Sequence, residues 1–320
     1  MTEQVWEAIR PHLPQVGSTD FTGGGEPLLQ PRLVKWAAEA NEAGCETGIL
    51  TNGLLLTKDK AEELIETGLD WLCVSMDGAD AETYEKIRRG SDFDRVCENL
   101  ANVAELRRGR TPKTMINFVI MNLNFHQIDE MVDLAQHLGV DQVNFKQCDV
   151  IRGEHGKGLG LFAKKDSKEL KRLENSLART LRRARKLKIT TTAFSFKPGE
   201  QPVCDQDLRS SVFIRYDGMA APCINLAYGG PSTFLGNSVT MPSVHYGRVQ
   251  AVDLLELWES ETCRRGRDLF ARRVTAYEDV FVKALTGGAR AGLERLREMA
   301  VDAMPEAAEG CKVCHYLYGV

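Results

Sequence analysis

The chain has 320 residues, of which 43% are hydrophobic and 27% charged, with a formal net charge of -4. That length allows one large α/β domain with an appendage, or two domains, and the weak negative charge gives no basis for nucleic acid as a general partner. No apolar run approaches the ~20 residues of a spanning helix, and Met1-Thr2-Glu3-Gln4 does not open a secretion signal, so the expected setting is the cytoplasm, without membrane contact.

Val5, Trp6, Ile9 and Leu13 share one face of a predicted helix over 3–13. A strand at about 16–21 runs into Gly23-Gly24-Gly25-Glu26-Pro27. Consecutive glycines give up packing and add backbone entropy, so a fold keeps them where the backbone turns unusually or meets a ligand closely. Helix 31–43 stops at Gly44, and strand 47–50 closes on Thr51-Asn52-Gly53. Thr57 caps a helix to residue 65. Strand 69–76 ends at Asp77-Gly78. Helices at 80–89 and 93–108, strand 114–121, helix 125–138 and strand 142–148 continue the rhythm.

Strands that read as apolar throughout, alternating with helices, predict a parallel sheet covered by helices. Right-handed crossovers open all strand C-termini on one side, where ligands of such folds bind. Glu26, Asn52, Ser75, Asp77, Asn117 and Lys146 all fall near those ends. Residues 151–163 read as a glycine-rich surface loop, and 164–188 as a strongly basic helix whose charge run suits a solvated face. A short strand near 189–195 completes the parallel part. The composition changes at Lys197, which divides the chain into 1–196 and 197–320. In the second part, a strand at 212–217 turns back toward Cys223. A helix from 253 runs on past Cys263, and a charged helix covers about 276–303.

Nine cysteines are many for a cytoplasmic protein, where disulfides are rare. Cys45, Cys73, Cys97 and Cys148 read as small core residues. Cys204, Cys223, Cys263, Cys311 and Cys314 crowd the last third and point to metal or iron–sulfur ligation. Two cysteines around a turn plus Cys311-x-x-Cys314 supply four thiolates, which suit tetrahedral zinc or an iron–sulfur cluster equally. A redox-active dithiol is a weaker third reading.

Taken in order, these motifs resemble the radical S-adenosylmethionine (SAM) superfamily, in its subgroup with a C-terminal SPASM or twitch domain. Phe21-Thr22-Gly23-Gly24-Gly25-Glu26-Pro27 is similar to the family's GGEP motif, and Leu50-Thr51-Asn52-Gly53 to its third-strand end. Val74-Ser75-Met76-Asp77-Gly78, with the following Tyr84 to Gly90, is similar to its fourth-strand segment, and Asn117 to Asn124 to the region flanking the adenine. Cys204, thirteen residues, Gly218, four residues and Cys223 match the SPASM opening, with Leu235-Gly236-Asn237 in the linker that follows.

The resemblance implies a partial (β/α) barrel. Gly23, Gly24, Gly25, Glu26, Asn52, Ser75, Asp77, Arg88 and Asn117 would hold SAM, with Glu26 on its ammonium. An auxiliary [4Fe–4S] cluster would sit on Cys204, Cys223, Cys311 and Cys314, with Cys263 in reserve. A second, SAM-cleaving [4Fe–4S] cluster is expected on a Cys-x3-Cys-x2-Cys loop ahead of the glycines. The first cysteine here is Cys45, so that loop and its strand are expected to be missing from this chain, with an internal methionine taken as the start. A full SPASM domain continues through further cysteines, so one auxiliary cluster is expected, not two. Sulfatase-maturing members carry an acid directly after the second SPASM cysteine, where Ile224 stands here, and that substrate class is not expected.

The implied chemistry is formation of a 5′-deoxyadenosyl radical and abstraction of a hydrogen atom from a peptide or protein. Electrons would come from a flavodoxin- or ferredoxin-type donor. The rival reading is a non-catalytic protein that keeps the sheet and one iron–sulfur or zinc site. An ordinary α/β barrel without iron leaves the terminal cysteines unexplained.

Overall fold

A computed structural model describes residues 1–107, 111–148, 158–162, 166–287 and 292–320. These form two compact units, Ile9–Phe196 and Met1–Ala8 with Lys197–Val320. The opening helix α1 (Glu3–Ile9) is shorter than the 3–13 expected. Pro11 and Pro14 lack the amide an α-helix needs, and the chain continues as a 3₁₀ turn over Arg10–Gln15.

The larger unit alternates β1 (Ser18–Asp20), α2 (Leu33–Glu42), β2 (Glu46–Thr51), α3 (Lys58–Glu66), β3 (Trp71–Ser75), α4 (Ala81–Ile87), α5 (Phe93–Leu106), β4 (Lys113–Ile120), α6 (Ile128–His137), β5 (Gln142–Gln147), α7 (Ser167–Lys186) and β6 (Thr190–Ala193). All six strands are parallel and adjacent in chain order. Sequential order with helical crossovers carries every strand C-terminus to one side. The expected loop at 151–163 and the start of the basic helix lie largely outside the described residues.

The face of the sheet turned to the helices is the more apolar one. Ile49, Leu72, Val74, Ile116, Phe118, Val143 and Phe145 pack against Leu64, Val96, Leu100, Met131, Val132 and Leu177 of the helices. Burial alternates along β4, where Thr114, Ile116, Phe118 and Ile120 are buried and Lys113, Met115, Asn117 and Val119 less so. The expectation of strands apolar throughout therefore fails for the second face, where the period of two puts polar side chains. The register makes Ser75, Asn117, Asn144 and Thr192 one row across β3, β4, β5 and β6.

The smaller unit holds β7 (Phe213–Ile214), β8 (Met219–Ala221), α8 (Ile224–Tyr228), β9 (Gly230–Phe234), β10 (Asn237–Met241), β11 (Gly247–Arg248), α9 (Leu254–Trp258), α10 (Glu261–Thr286) and α11 (Leu293–Ala303). Leu235-Gly236, expected in a linker, is a hairpin turn between β9 and β10 with positive φ at both positions (48° and 82°), as a two-residue type I′ loop requires. The helix expected to run past Cys263 is two helices. Ser260 ends the first and caps the second, its hydroxyl accepting from the Cys263 amide at 3.4 Å. The 276–303 helix is the end of α10 plus α11, and 288–291 lie outside the described residues.

On the second face of the sheet, Gly48 of β2 lies beneath the Trp71 ring of β3. A Cβ at Gly48 would stand 1.8 Å from Trp71 Cε2. Gly48→Ala is therefore expected to destabilise by about 1–3 kcal/mol through overpacking, read as a lower urea midpoint. Most of that loss should disappear in a Trp71→Leu background; an equal loss in both backgrounds would mean that the ring is not the obstacle.

Candidate functional site

The turn after β1 is built on Glu26. Its Oε1 accepts from the Leu28 amide at 3.0 Å and the Thr51 hydroxyl at 2.6 Å, and its Oε2 from the Asn52 amide at 2.8 Å. The carboxylate thus caps the 3₁₀ turn Pro27–Leu29 and ties the glycine turn to the end of β2. Asn52 Oδ1 in turn accepts from the Leu54 amide at 2.9 Å. Gly23, Gly24 and Gly25 are exposed, none has a positive φ, and a Cβ at Gly23 or Gly25 would meet nothing within 4 Å. The unusual turn expected of them is absent, so what the glycines leave in front of the backbone is open room.

At the end of β3, Asp77 is buried. Its Oδ1 accepts from the Val119 amide at 2.8 Å and its Oδ2 pairs with Arg88 Nη2 at 2.7 Å. Burial pushes the Asp77 carboxyl up against the pull of Arg88. Arg88, just past α4, keeps its Nε buried with no hydrogen-bond partner among the described residues. An orphaned guanidinium donor is a feature a bound carboxylate would satisfy.

Between these points lies the polar row. Asn144 Nδ2 donates to Asn117 Oδ1 at 2.9 Å, and Asn144 Oδ1 accepts from Thr192 Oγ1 at 2.8 Å and Gln142 Nε2 at 2.6 Å. Cys73 faces the same side as the row, its thiol pushed up to about 12 by burial. Sequence reasoning singled out Ser75 and Asn117 but missed Thr51, Asn144, Thr192 and Asn124. Asn124 is fully buried and joins Asp77 O to Val119 O, both at 2.9 Å. The alternation of polar residues in β4 and β5 was the available signal for Asn144. The alternation along β6, a run of threonines, gave none for Thr192.

In the smaller unit Cys204, Cys223 and Cys314 are half-buried and pack in one cluster with buried Cys311. Burial pushes the Cys223 thiol up to about 11, with Cys314 and Cys204 adding to it. Cys311 is raised further by burial and by Cys223, Cys314 and Cys204. The amides of Gln206 and Asp207 point at Cys204 sulfur, and Asn225 Nδ2 donates to Cys314 Sγ at 3.7 Å. Cys263 is not among the thiols acting on Cys311. It is fully buried, with Tyr246 and Arg267 on its sulfur. Thiolate ligands must lose their protons, and a positive centre among them lifts both the burial cost and the mutual repulsion, so this pocket fits an electron-poor metal group. Among the described residues no group of three or more His, Cys, Asp or Glu side chains is spaced to hold a metal ion.

Arg273 fixes the two segments that deliver Cys204 and Cys311. It is 1% exposed and donates to Pro202 O at 3.2 Å, Gln201 O at 3.0 Å, Glu200 Oε1 at 2.6 Å and Pro305 O. Arg273→Met strands three carbonyls and a carboxylate, and is expected to cost about 3 kcal/mol. Arg273→Lys should recover only part of this, since an ammonium cannot reach all four acceptors. An unchanged urea midpoint in Arg273→Met would contradict that role.

Known proteins align with this geometry. The radical SAM superfamily model matches residues 3–135, and the SPASM model, an iron–sulfur cluster-binding domain, matches 204–279. Relatives include a tungsten-containing aldehyde ferredoxin oxidoreductase cofactor-modifying protein of Pyrococcus furiosus, 25% identical over 252 residues (78% of this chain, 68% of the relative). Another is a probable GTP 3′,8-cyclase of Saccharolobus islandicus, 33% identical over 160 residues (50% of this chain, 48% of the relative). Streptococcus suis SuiB bound to S-adenosylmethionine superposes with a TM-score of 0.62 at 20% identity, over 83% of this chain and 60% of that one. Native anSMEcpe with bound AdoMet and Cp18Cys peptide gives 0.61 at 16% identity, over 84% and 76%. This chain thus spans about half the cyclase and less than two thirds of SuiB. The chain belongs to the radical SAM superfamily, its parallel sheet being that family's partial barrel, and carries a C-terminal SPASM iron–sulfur domain.

Proposed function

We propose that the strand ends of the larger unit hold SAM for hydrogen abstraction from a peptide or protein substrate, with an auxiliary [4Fe–4S] cluster on Cys204, Cys223, Cys311 and Cys314. The observation that carries the reading is the set of unspent groups along one sheet end: the open backbone of Gly23 to Gly25 and the orphaned Nε of Arg88. A carboxylate offers about four lone-pair sites, and Glu26 spends three inside the protein. It therefore positions the turn and keeps one acceptor for an ammonium. Arg88, anchored by Asp77, meets the SAM carboxylate. Ser75 and Asn117 fix the ribose and the adenine edge, and Asn52 closes the end of β2.

When bound, SAM and a reduced [4Fe–4S] cluster supply a 5′-deoxyadenosyl radical, fed by a small flavodoxin- or ferredoxin-type donor. The chain's own part is placement and exclusion of water. The Pyrococcus furiosus relative is named as a cofactor-modifying protein; anSMEcpe is solved with a peptide, and that supports a peptide or protein substrate here.

A second reading, iron–sulfur binding without SAM cleavage by these 320 residues, is favoured by Cys45. This first cysteine is buried and its thiol donates to Val16 O at 3.2 Å and Leu13 O at 3.4 Å. It is no ligand for a cluster facing Gly23 to Pro27.

Anaerobic reconstitution is expected to load about four iron and four sulfide per chain, and zinc in their place would overturn the cluster assignment. Replacing Cys311 by Ser should empty the site, whereas Cys263→Ser should leave it loaded. Calorimetric titration should show SAM binding that weakens about tenfold or more in Arg88→Met, the loss of a charge-assisted pair, and unchanged affinity would remove Arg88 from the site. Reduction with dithionite should give no 5′-deoxyadenosine from this chain alone.

A further inference from the structure

Lys146 of β5 falls among the strand-end residues but takes no part in the proposed function. Its neighbour Phe145 belongs to the helix-facing core, so the strand's period of two turns Lys146 to the second face of the sheet, with Asn144. It stands opposite Val119 of β4, two residues and about 6–7 Å beyond Asn144 toward the C-terminal end. A lysine in such a place commonly lays its stem on the wall and its ammonium in outer water, so the direction of the charge decides. Lys146 is half-buried. Burial pushes the thiol of Cys73 up, and the charge of Lys146 works against that push. Cys73 is buried on the same face two strands away, in β3. The ammonium is therefore within electrostatic reach of the middle of the inner face.

The second observation is that nothing on this face answers that charge. Among the described residues Lys146 forms no ion pair or hydrogen bond, whereas Lys113, on the same face, is held by Gln142 Oε1 at 2.6 Å. Asp20, at the end of β1, faces the same side through its register with Gly48. Burial and Thr22 are all that act on its carboxyl, so Asp20 and Lys146 leave each other unneutralised. The neutral groups beside Lys146 are spent on one another, Asn144 Nδ2 on Asn117 and Asn144 Oδ1 on Thr192 and Gln142. What this part of the face still offers a ligand is one positive charge. A single ammonium matches a carboxylate, whereas a phosphate, with three acceptor oxygens and a charge of about −1.5 to −2, asks for several donors. The SAM carboxylate already has Arg88 in the proposed function.

We infer that Lys146 is a specificity-determining residue whose ammonium takes a carboxylate of the peptide substrate on the inner face of the sheet, beside SAM. Asp20 repels the same carboxylate from the β1 side, so the two charges give the substrate one sense of entry. The carboxylate is that of an acidic side chain or of the C-terminus, and the two are told apart below. This rests on the peptide-substrate reading above and adds the substrate's charge to it.

The test uses the full chain, with and without SAM, and affinity selection from a synthetic twelve-residue peptide library made with free and with amidated C-termini. The unmodified chain should retain Asp- and Glu-rich members of both forms if a side chain is recognised, and members of the free-acid form alone if the C-terminus is. Lys146→Gln should lose these members, and Lys146→Glu should retain Lys- and Arg-rich ones in their place. A retained peptide, followed by anisotropy, should bind Lys146→Gln about tenfold or more weakly, the loss of a charge-assisted pair. Lys146→Arg should recover most of that affinity, and Asp20→Asn should bind at least as tightly as the unmodified chain. Retention of the same members by Lys146→Gln, no carboxylate-dependent retention by the unmodified chain, or equal losses in Lys146→Gln and Asp20→Asn would each overturn the assignment. So would a loss of SAM affinity of about tenfold in Lys146→Gln, which would put the ammonium on SAM itself. Failure of the unmodified chain to bind SAM, with Lys146-dependent retention intact, would count against the proposed function and not against the lysine.

Discussion

Parallel strands are never joined by a hairpin, so nothing local fixes their register. In this sheet side-chain carboxylates do it. Asp70 accepts from the Thr47 amide at 2.7 Å and Asp141 from the Thr114 amide at 2.8 Å, at the N-terminal end of the sheet. Glu26 and Asp77 do the same for Asn52 and Val119 at the C-terminal end. Asp141 is itself gripped by Arg107 at 2.6 and 3.0 Å, and although burial works to raise its carboxyl, Arg107 and Thr114 together hold it below the ordinary range. Four acids from four loops thus each lock one strand to the next, and a slip of one residue would break the bond and turn the polar row into the helix-facing core.

The two C-terminal locks are also the acids read from sequence as ligand contacts. Both acids stand at strand C-termini, and the structure adds that each also holds the register of the sheet. A glutamate after three glycines says that a charge stands at a strand end. It does not say that Thr51, Asn52 and Leu28 take most of its lone pairs, because those partners are met only when β1 and β2 lie side by side. The order of strands and helices was legible, since caps such as Thr57 and stops such as Gly44 act within a few residues. The breaks at Pro11 and Ser260 were legible in principle too, from proline chemistry and from a capping serine followed by Glu261. Arg273 was not. Its four acceptors lie between 71 and 73 residues upstream or 32 downstream, and nothing near it in sequence separates it from the exposed arginines of the same helix.

The cysteines show the same division. Cys311 and Cys314, with two residues between them around a 3₁₀ turn, are singled out as candidate ligands by spacing alone. Cys263 does not, and its separation from the other four depends on the cap at Ser260, which starts a new helix and puts its sulfur under Tyr246 and Arg267. A thiol given a hydroxyl and a guanidinium is already satisfied in a core. Among the other four, Cys223 and Cys311 are raised by burial and by neighbouring thiols, and Cys204 is met by backbone amides. That imbalance separates Cys263 from the other four more sharply than burial does, since Cys311 and Cys263 are both buried.

The two charged features of the larger unit are then opposites in design. Asp77 and Arg88 are a desolvated pair, and burying a carboxylate costs more than the pairing returns, which is why the Asp77 carboxyl is raised in spite of its partner. Such a pair is weak as a source of stability, yet it fixes Arg88 by one Nη and leaves Nε aimed elsewhere. Arg182 and Arg185 of α7 are exposed, screened by salt and in no ion pair among the described residues, so they impose no cost on the fold and no fixed geometry. A guanidinium fixed in a dry site suits one small ligand in one pose, whereas loose, hydrated cations impose no single geometry on a partner.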